Sequence, residues 1–244
     1  MKVRLPMLAV ALVLLASTGA FAGSFIGNNN GCVQLGIFCF DPGNPGVGVQ
    51  TPDGQGVQVG LGFNEDGKTF RGTGEGPGFD WQYSGNTDPL INWAFGAAAP
   101  GAYAVIFFMP VVGGPYDTLT QLSSLSVSDI GNPNPTTVNN ISVLGQVPAG
   151  NTIAGVTLLA GPVVAPPVGF GNANLGPAIV NQAFGNPPHM AVQLNFTLAS
   201  PDNDGSASFN GQLKLEQRQI PEPATLLLLG SGLLGLVGFA RRRS

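Results

Sequence analysis

Charged side chains are scarce in this chain of 244 residues, at 9% of the total against roughly 25% in an ordinary soluble domain. The few cations are also placed unevenly, because five of the nine basic residues lie near the two ends. Between Gly23 and Ile220, four basic residues and twelve acids leave a formal balance of −8. A body this acidic repels phosphate backbones, so we do not expect nucleic acid to be a partner.

Histidine is almost absent, and its scarcity excludes several kinds of active site. The single histidine, His189, cannot build the zinc sites that require two or three histidines. A catalytic triad would have to use it, yet no G-x-S-x-G turn surrounds any serine. Because His189 follows two prolines, we interpret it as an exposed loop residue and expect the protein not to be an enzyme.

The N-terminus has the three parts of a secretory signal peptide. It begins with basic residues, continues with an almost purely apolar run over residues 5–16, and offers a small-x-small cleavage site at Ala20 and Ala22, ahead of Gly23. The apolar run is shorter than the roughly 20 residues of a membrane-spanning helix, which favours a cleaved peptide over an uncleaved anchor. We therefore predict a signal peptide over residues 1–22 and export across the inner membrane.

The C-terminal residues combine a short motif, an apolar run and a cationic end. Pro221, Glu222 and Pro223 precede residues 224–240, which are uncharged and would form a helix of roughly 25 Å, enough for a thin bilayer. By the positive-inside rule, the arginines that follow would stay in the cytoplasm. These are Arg241, Arg242 and Arg243. The body of the chain would then lie outside, in agreement with the signal peptide.

This order of tripeptide, apolar span and arginine cluster over residues 221–244 resembles the PEP-CTERM sorting signal of Gram-negative bacteria. The resemblance implies a membrane protease of the exosortase type as a partner, transient anchoring by a C-terminal transmembrane helix, and then a place at the cell surface or outside the cell. It also implies association with exopolysaccharide in a biofilm or floc matrix. A plain tail anchor that begins with the same tripeptide is the alternative.

Export to an oxidising compartment would allow the two cysteines to form a disulfide. Cys32 and Cys39 lie in a segment rich in Gly, Asn and Pro, residues 23–55, and an oxidising compartment permits a disulfide between them. A metal pair is the alternative, but no further cysteine and no histidine cluster exists to complete four ligands. We predict the local disulfide.

The body of the chain alternates between apolar and polar residues, as antiparallel strands do. The alternation is clearest in residues 190–198, and it returns in residues 207–215 after a connection full of turn formers. Residues 103–109 are continuously apolar, which fits a strand buried on both faces. With 37 glycines, 21 prolines and no capped amphipathic helix, the pattern predicts an all-β antiparallel sandwich or jelly roll over residues 56–216. A linker over residues 217–220 would join it to the sorting signal.

A second resemblance supports this fold. Residues 81–93, which begin and end with tryptophan, look like a segment of some PEP-CTERM proteins that have a β-sandwich ectodomain, and the hairpin after Met190 is similar to their last pair of strands. The likeness implies a β-sandwich, and for that class it implies no established activity.

Acidic residues supply the remaining candidates for chemistry. Pairs of carboxylates could hydrolyse glycosides, although each pair lies among Gly and Asn, where acids are commonly solvated turn residues. The pairs are Glu65 with Asp66, Glu75 with Asp80, and Asp202 with Asp204. The last pair could also bind calcium, although the glutamate at the twelfth position of an EF-hand is missing. We predict no cofactor, with calcium at Asp202 and Asp204 as the alternative.

Three aromatic residues, Trp81, Tyr83 and Trp93, could either stack on sugar rings or fill the core. The main hypothesis is therefore an exported, exosortase-sorted protein of the envelope or extracellular matrix, without catalytic activity and associated with exopolysaccharide. The alternatives are a carbohydrate-binding β-sandwich, with or without calcium, and a glycoside hydrolase with paired carboxylates.

Overall fold

Alternating apolar residues and turn-rich connections produce seventeen strands and no helix in the part of the chain that the structure describes. This computed structural model describes residues 26–29, 31–131, 133–149 and 152–217. Along the chain the strands are β1 (Ile26–Asn29), β2 (Cys32–Leu35), β3 (Phe38–Phe40), β4 (Gly46–Gln50), β5 (Gly56–Gly60), β6 (Thr69–Gly76), β7 (Phe79–Asn86), β8 (Leu90–Ala97), β9 (Gly101–Pro110), β10 (Tyr116–Asp129), β11 (Thr136–Ala149), β12 (Thr152–Ala160), β13 (Val163–Ala165), β14 (Gly169–Asn174), β15 (Ala178–Gly185), β16 (His189–Ala199) and β17 (Gly205–Glu216).

Fourteen of these strands form two antiparallel sheets of seven strands each. The front sheet has the order β14-β10-β17-β8-β7-β6, and β15 pairs with the other part of β10. The back sheet has the order β12-β11-β16-β9-β4-β5, and β13 also pairs with β11. The two sheets pack face to face, and the prediction of an all-β antiparallel sandwich is confirmed.

The core between the sheets is built from every second residue of the long strands. Strand β16 contributes an inward apolar row to the back sheet, and β17 contributes the facing row of the front sheet. Phe196 and Phe209 meet in the middle with ring centroids 4.5 Å apart. Because their side chains are 2% and 0% exposed, each adds roughly 2–3 kcal/mol of hydrophobic stabilisation.

A third, smaller sheet explains the continuous apolar run in residues 103–109. Strands β1, β2 and β3 form this N-terminal sheet, which packs on the outer face of the back sheet. In β9, Phe107 points into the sandwich core, whereas Ile106 and Phe108 point outward and are buried in the second apolar cluster. Phe40 stacks on Phe108 with ring centroids 5.1 Å apart. The run is therefore buried on both faces because β9 lies in the middle layer of three.

The structure differs from the predicted domain boundary at residue 56. Strand β4, within the segment 23–55, pairs with both β9 and β5 and is an integral part of the back sheet. The sequence Gly46-Val-Gly-Val-Gln50 did not stand out as a strand because two of its outward positions are glycines. At Gly48 the absent side chain leaves the space that the Phe38 ring occupies.

Several predicted features lie outside the described residues. They include the signal peptide over residues 1–22, the apolar span, and residues 221–244 as a whole. The cleavage site at Ala20, Ala22 and Gly23, the tripeptide Pro221, Glu222 and Pro223, and the cluster Arg241, Arg242 and Arg243 lie there too. Within the described part of the chain, no helix has the length and apolar character needed to cross a bilayer.

Candidate functional site

The aromatic residues proposed for sugar stacking lie in the core. Trp81, Tyr83 and Trp93 are at most 3% exposed, on inward positions of β7 and β8. The Tyr83 hydroxyl donates a 2.7 Å hydrogen bond to the Phe108 carbonyl of the opposite sheet, and burial raises the pKa of Tyr83 well above its ordinary value of 10. These rings therefore stabilise the sandwich and cannot stack on a ligand.

A polar surface covers the outer side of the front sheet. Inward positions of β10 and β17 carry mostly apolar side chains. The alternate, outward positions are mostly polar, with Leu122 as the apolar exception. The neighbouring strands β14 and β8 add asparagines to the same side. We define the polar face by six residues that the grooves and hydrogen bonds below connect: Asn92, Ser124, Ser126, Asn172, Asn210 and Gln212.

Hydrogen bonds between neighbouring strands order this face. Ser124 donates to the Asn210 Oδ1 at 2.9 Å, and the two residues are direct partners in the β10–β17 register. Ser126 donates to the Asn172 Oδ1 at 2.8 Å on the other side of β10. Further along the sheet, the Gln212 Nε2 donates to the Asn92 Oδ1 at 2.9 Å. The side chains are thereby held in fixed orientations before any ligand binds.

Two shallow grooves run over the polar face. One, of about 630 Å³, is lined by five of the six residues of the polar face, all except Asn92. The second, of about 280 Å³, lies beside it over β6, β7 and β8 and is lined by Arg71, Gln82 and Asn92. Both grooves touch Trp93 at the middle of β8, so they follow each other across the sheet.

The chemistry of the larger groove suits a ligand rich in hydroxyl groups. The side-chain carbonyl oxygens of Asn172 and Asn210 each accept a hydrogen bond from a serine hydroxyl. Their amide nitrogens donate no hydrogen bond to another side chain of the described residues. Each Nδ2 can therefore donate two hydrogen bonds, and each serine oxygen can still accept. Leu122, 40% exposed, also lines this groove and adds an apolar contact.

The acid pairs proposed for catalysis do not share one environment. Glu75 and Asp80 are direct cross-strand partners on β6 and β7, and both side chains are exposed on the open side of the front sheet. Asp66 instead organises its own turn, because it accepts hydrogen bonds from the Thr69 hydroxyl and from two backbone N–H groups. These bonds, the Thr69 hydroxyl first, lower the pKa of Asp66.

The proposed calcium residues serve the loops that carry them. Asp202 accepts hydrogen bonds from the backbone N–H and the Nδ2 of Asn134 at 3.1–3.2 Å, which ties the β16–β17 loop to the β10–β11 loop. The Asp204 Oδ1 lies 3.5 Å from the Ser200 hydroxyl. Among the described residues, no group of three or more His, Cys, Asp or Glu could hold a metal ion.

The cysteines and the histidine lie on the opposite side of the molecule. The structure places a disulfide between Cys32 and Cys39, with their Cα atoms 5.4 Å apart, across the β2–β3 turn. His189 begins β16 rather than lying in an exposed loop, with its ring 5.4 Å from that of Phe108. Burial lowers the pKa of His189 to about 4.

The C-terminal tail matches a known family model. Residues 219–243 match the PEP-CTERM protein-sorting motif. The chain carries a PEP-CTERM sorting signal. This motif implies export, a membrane-anchored sorting signal and recognition by an exosortase. No curated protein matches the chain significantly.

Two solved structures are similar in part to the body of this chain. One is TmCBM61 in complex with beta-1,4-galactotriose, with 9% identity and a TM-score of 0.29, covering 57% of this chain and 88% of that one. The other comes from work on the structural basis for the promiscuous specificity of carbohydrate-binding modules from the β-sandwich superfamily. It has 9% identity and a TM-score of 0.25, and covers 74% of this chain and 77% of that one.

Sequence reasoning missed the polar face. The signal was present in residues 124–128 and 206–212, where polar residues recur at every second position. The alternation shows that one side of each strand faces solvent, but it does not show which strands are neighbours.

Proposed function

We propose that this PEP-CTERM protein is a non-catalytic extracellular polysaccharide-binding protein, exported, held transiently at the membrane by its tail, and released to the cell surface or matrix by an exosortase. Its β-sandwich binds exopolysaccharide on the polar face. The observation that carries the proposal is the ordered array of amide and hydroxyl groups in the larger groove.

The geometry of the face supports binding of a polymer. Sugar hydroxyls both donate and accept hydrogen bonds, and the groups on Asn172, Ser126 and Asn210 offer the complementary donors and acceptors. The grooves are shallow and open to solvent rather than closed around a small molecule, and together they extend over strands from β14 to β6. An extended chain can therefore lie across several strands and continue past the protein.

The arrangement of the acids supports binding without hydrolysis. A glycosidase requires a carboxylic acid kept protonated by its surroundings beside a second, ionised carboxylate. Glu75 and Asp80 are adjacent, but both are exposed on an open surface and neither lies under a lid or in a cleft. We therefore assign them no acid–base role.

Affinity electrophoresis tests the proposal. The exported protein, without its signal peptide and tail, is run through native gels that contain dextran, galactan, galactomannan, mixed-linkage glucan, alginate or polysaccharide from the producing cell's matrix. At least one polymer should retard wild type, and the double variant Asn172→Ala with Asn210→Ala should lose about tenfold or more in affinity, since each alanine removes about 1–1.5 kcal/mol of hydrogen bonding.

A matched variant on the other side of the molecule controls for folding. Gln55→Ala with Thr157→Ala changes two exposed polar residues, one in the β4–β5 turn and one on β12 of the back sheet, and should bind like wild type. If no polymer retards wild type, the proposal is wrong. An increase in reducing ends during incubation would instead support the hydrolase alternative.

A further inference from the structure

Two carboxylates, Glu75 and Asp80, lie in line with the binding groove, and Asp80 is the nearer of the two. One row of direct cross-strand partners crosses the whole front sheet, in the order Glu75, Asp80, Gly96, Ser208, Ser126 and Asn172. The last two residues belong to the larger groove, and Asp80 is the acid nearest to it within the row. A ligand that follows the row from Asn172 therefore reaches Asp80 after crossing three strands.

The side chain of Asp80 points toward the groove because its neighbour has no side chain. A β-carbon at Gly96 would overlap the Asp80 Oδ1, and the carboxyl carbon lies 3.1 Å from the same position. The carboxylate thus rests over β8, on the side of Asp80 that faces β17. Neighbouring strands in a sheet are about 4.8 Å apart, so the carboxylate over β8 lies about that distance from Ser208 on β17.

Charge near this row is otherwise sparse. Lys214 of the same sheet is paired with Glu216, and Arg71 lies in a different row, beside the smaller groove. No cation is a direct partner of Asp80, because its neighbours in the register are Glu75 and Gly96. The exposed carboxylate keeps free oxygens that can accept hydrogen bonds from a pair of sugar hydroxyls.

We propose that Asp80, placed by Gly96, makes the polar face selective for neutral polysaccharides over acidic ones. The carboxylate accepts hydrogen bonds from hydroxyl groups of a neutral chain and repels a uronate or sulfate at the same place. This inference rests on the proposed polysaccharide binding and names the class of ligand for the same site.

The test compares each neutral polymer with its own oxidised form. Galactan, galactomannan and mixed-linkage glucan are used before and after oxidation of part of their primary –CH2OH groups to carboxylates, which adds charge and leaves the sugar rings and linkages intact. Wild type should prefer the neutral form. Asp80→Asn should improve binding of the oxidised form by about fivefold and weaken binding of the neutral form by about threefold, because it removes the repulsion and the stronger acceptor.

Two variants separate local from general effects. Glu65→Gln removes the same charge from an exposed loop and should change the preference less than twofold, since salt screens exposed charges beyond about 10 Å at 0.1 M. Gly96→Ala keeps the charge but displaces the carboxylate, and should also reduce the preference for the neutral form. Rising salt should relieve the wild-type discrimination more than that of Asp80→Asn, in which only Glu75, one strand further from the groove, remains charged in the row.

The outcomes distinguish this inference from the proposed function. If wild type binds a neutral polymer and its oxidised form equally, or if Glu65→Gln changes the preference as much as Asp80→Asn, the role of Asp80 is wrong while polysaccharide binding stands. Binding of alginate or oxidised polymers alone would likewise overturn the selectivity. If no polymer binds at all, the proposed function itself fails.

Discussion

Individual polar groups connect the two sheets at their most buried points. Tyr83 on the front sheet donates to the Phe108 carbonyl on the back sheet, in the middle of an otherwise apolar core. Gln121 makes a similar connection, because its Oε1 accepts a 2.8 Å hydrogen bond from the Gly145 N–H. A buried carbonyl or N–H that loses such a partner keeps its desolvation cost. Removing either side chain should therefore lower the free energy of unfolding by more than the loss of an exposed hydrogen bond would.

We expect Tyr83→Phe to lower the free energy of unfolding by about 1–2 kcal/mol, since the variant removes one buried hydroxyl and leaves the ring in place. Urea denaturation of the purified domain measures the change. Tyr103→Phe is the matched control: its hydroxyl donates to the Ala99 carbonyl at 2.8 Å but is only partly buried, so water can replace it and the loss should be smaller. Equal losses would contradict this assignment.

His189 should make stability depend on pH. Because burial lowers its folded pKa to about 4, below the unfolded value near 6.5, the unfolded chain binds more protons between these two values. The stability contributed by the neutral His189 should be fully present above pH 6.5. The free energy of unfolding should then fall as the pH drops toward 4, by about 1–2 kcal/mol after allowance for partial exposure. Denaturation at pH 7 and pH 5 measures the fall.

The variant His189→Gln should largely lose this dependence between pH 5 and 7. The lowered carboxyl pKa values of Asp41, Asp53 and Asp66 act on stability only at more acidic pH, and so do not confuse the comparison. An unchanged slope in the variant would mean that another group titrates.

At the scale of elements, the N-terminal sheet protects the outer side of the back sheet. It covers Ile106, Phe108 and Ala191, which would otherwise be an apolar patch on the surface. The strands of this small sheet have three or four residues each, too few to be stable without the surface on which they pack. The disulfide between β2 and β3 is therefore well placed to hold them.

Replacing both cysteines, Cys32→Ser with Cys39→Ser, should destabilise the N-terminal sheet by about 2 kcal/mol, the loop-closure value for so short a connection. Hydrogen exchange should become faster in residues 32–40 and remain unchanged in β16 and β17, since these strands are held by the main core. Free thiols on alkylation of the non-reduced wild-type protein would contradict the disulfide.

At the scale of the whole molecule, each of the three sheets has a different structural role. The N-terminal sheet covers the back, the two large sheets enclose the core, and the front leaves the polar face open to solvent. The C-terminal strand β17 ends at Glu216, so the sorting signal begins a few residues beyond the sandwich. Cutting near the tripeptide would release the binding domain without breaking a strand.

We expect Glu222→Ala to leave membrane insertion intact and to impair processing in a host that has the exosortase, because the tripeptide belongs to the matched sorting motif and lies outside the apolar run. Replacing Arg241, Arg242 and Arg243 together with neutral residues should instead weaken retention, since moving each arginine through hydrocarbon costs roughly 2.5–3.5 kcal/mol. Immunoblots of membrane and medium fractions measure both. Trimming of Glu222→Ala at the wild-type rate would contradict the first expectation.

The sequence by itself determined the features that depend on local composition and period. The motif at residues 219–243 is contiguous, so it could be recognised without a structure. The all-β class followed from period two, turn formers and scarce helix signals, because side chains alternate between the two sides of any strand. The apolar run of residues 103–109 likewise indicated burial on both faces.

Only the tertiary structure decided which strands are neighbours, and therefore where a site could form. Ser124 and Asn210 are 86 residues apart, yet they share a hydrogen bond on adjacent strands. Asp80 acts beside the groove only because the register places Gly96 opposite it. The sequence alone allows Trp81 and Trp93 to face either the core or solvent, and the strand pairing places both in the core. Strand pairing joins distant segments through backbone groups that are alike at every residue, so the local sequence does not specify the partner.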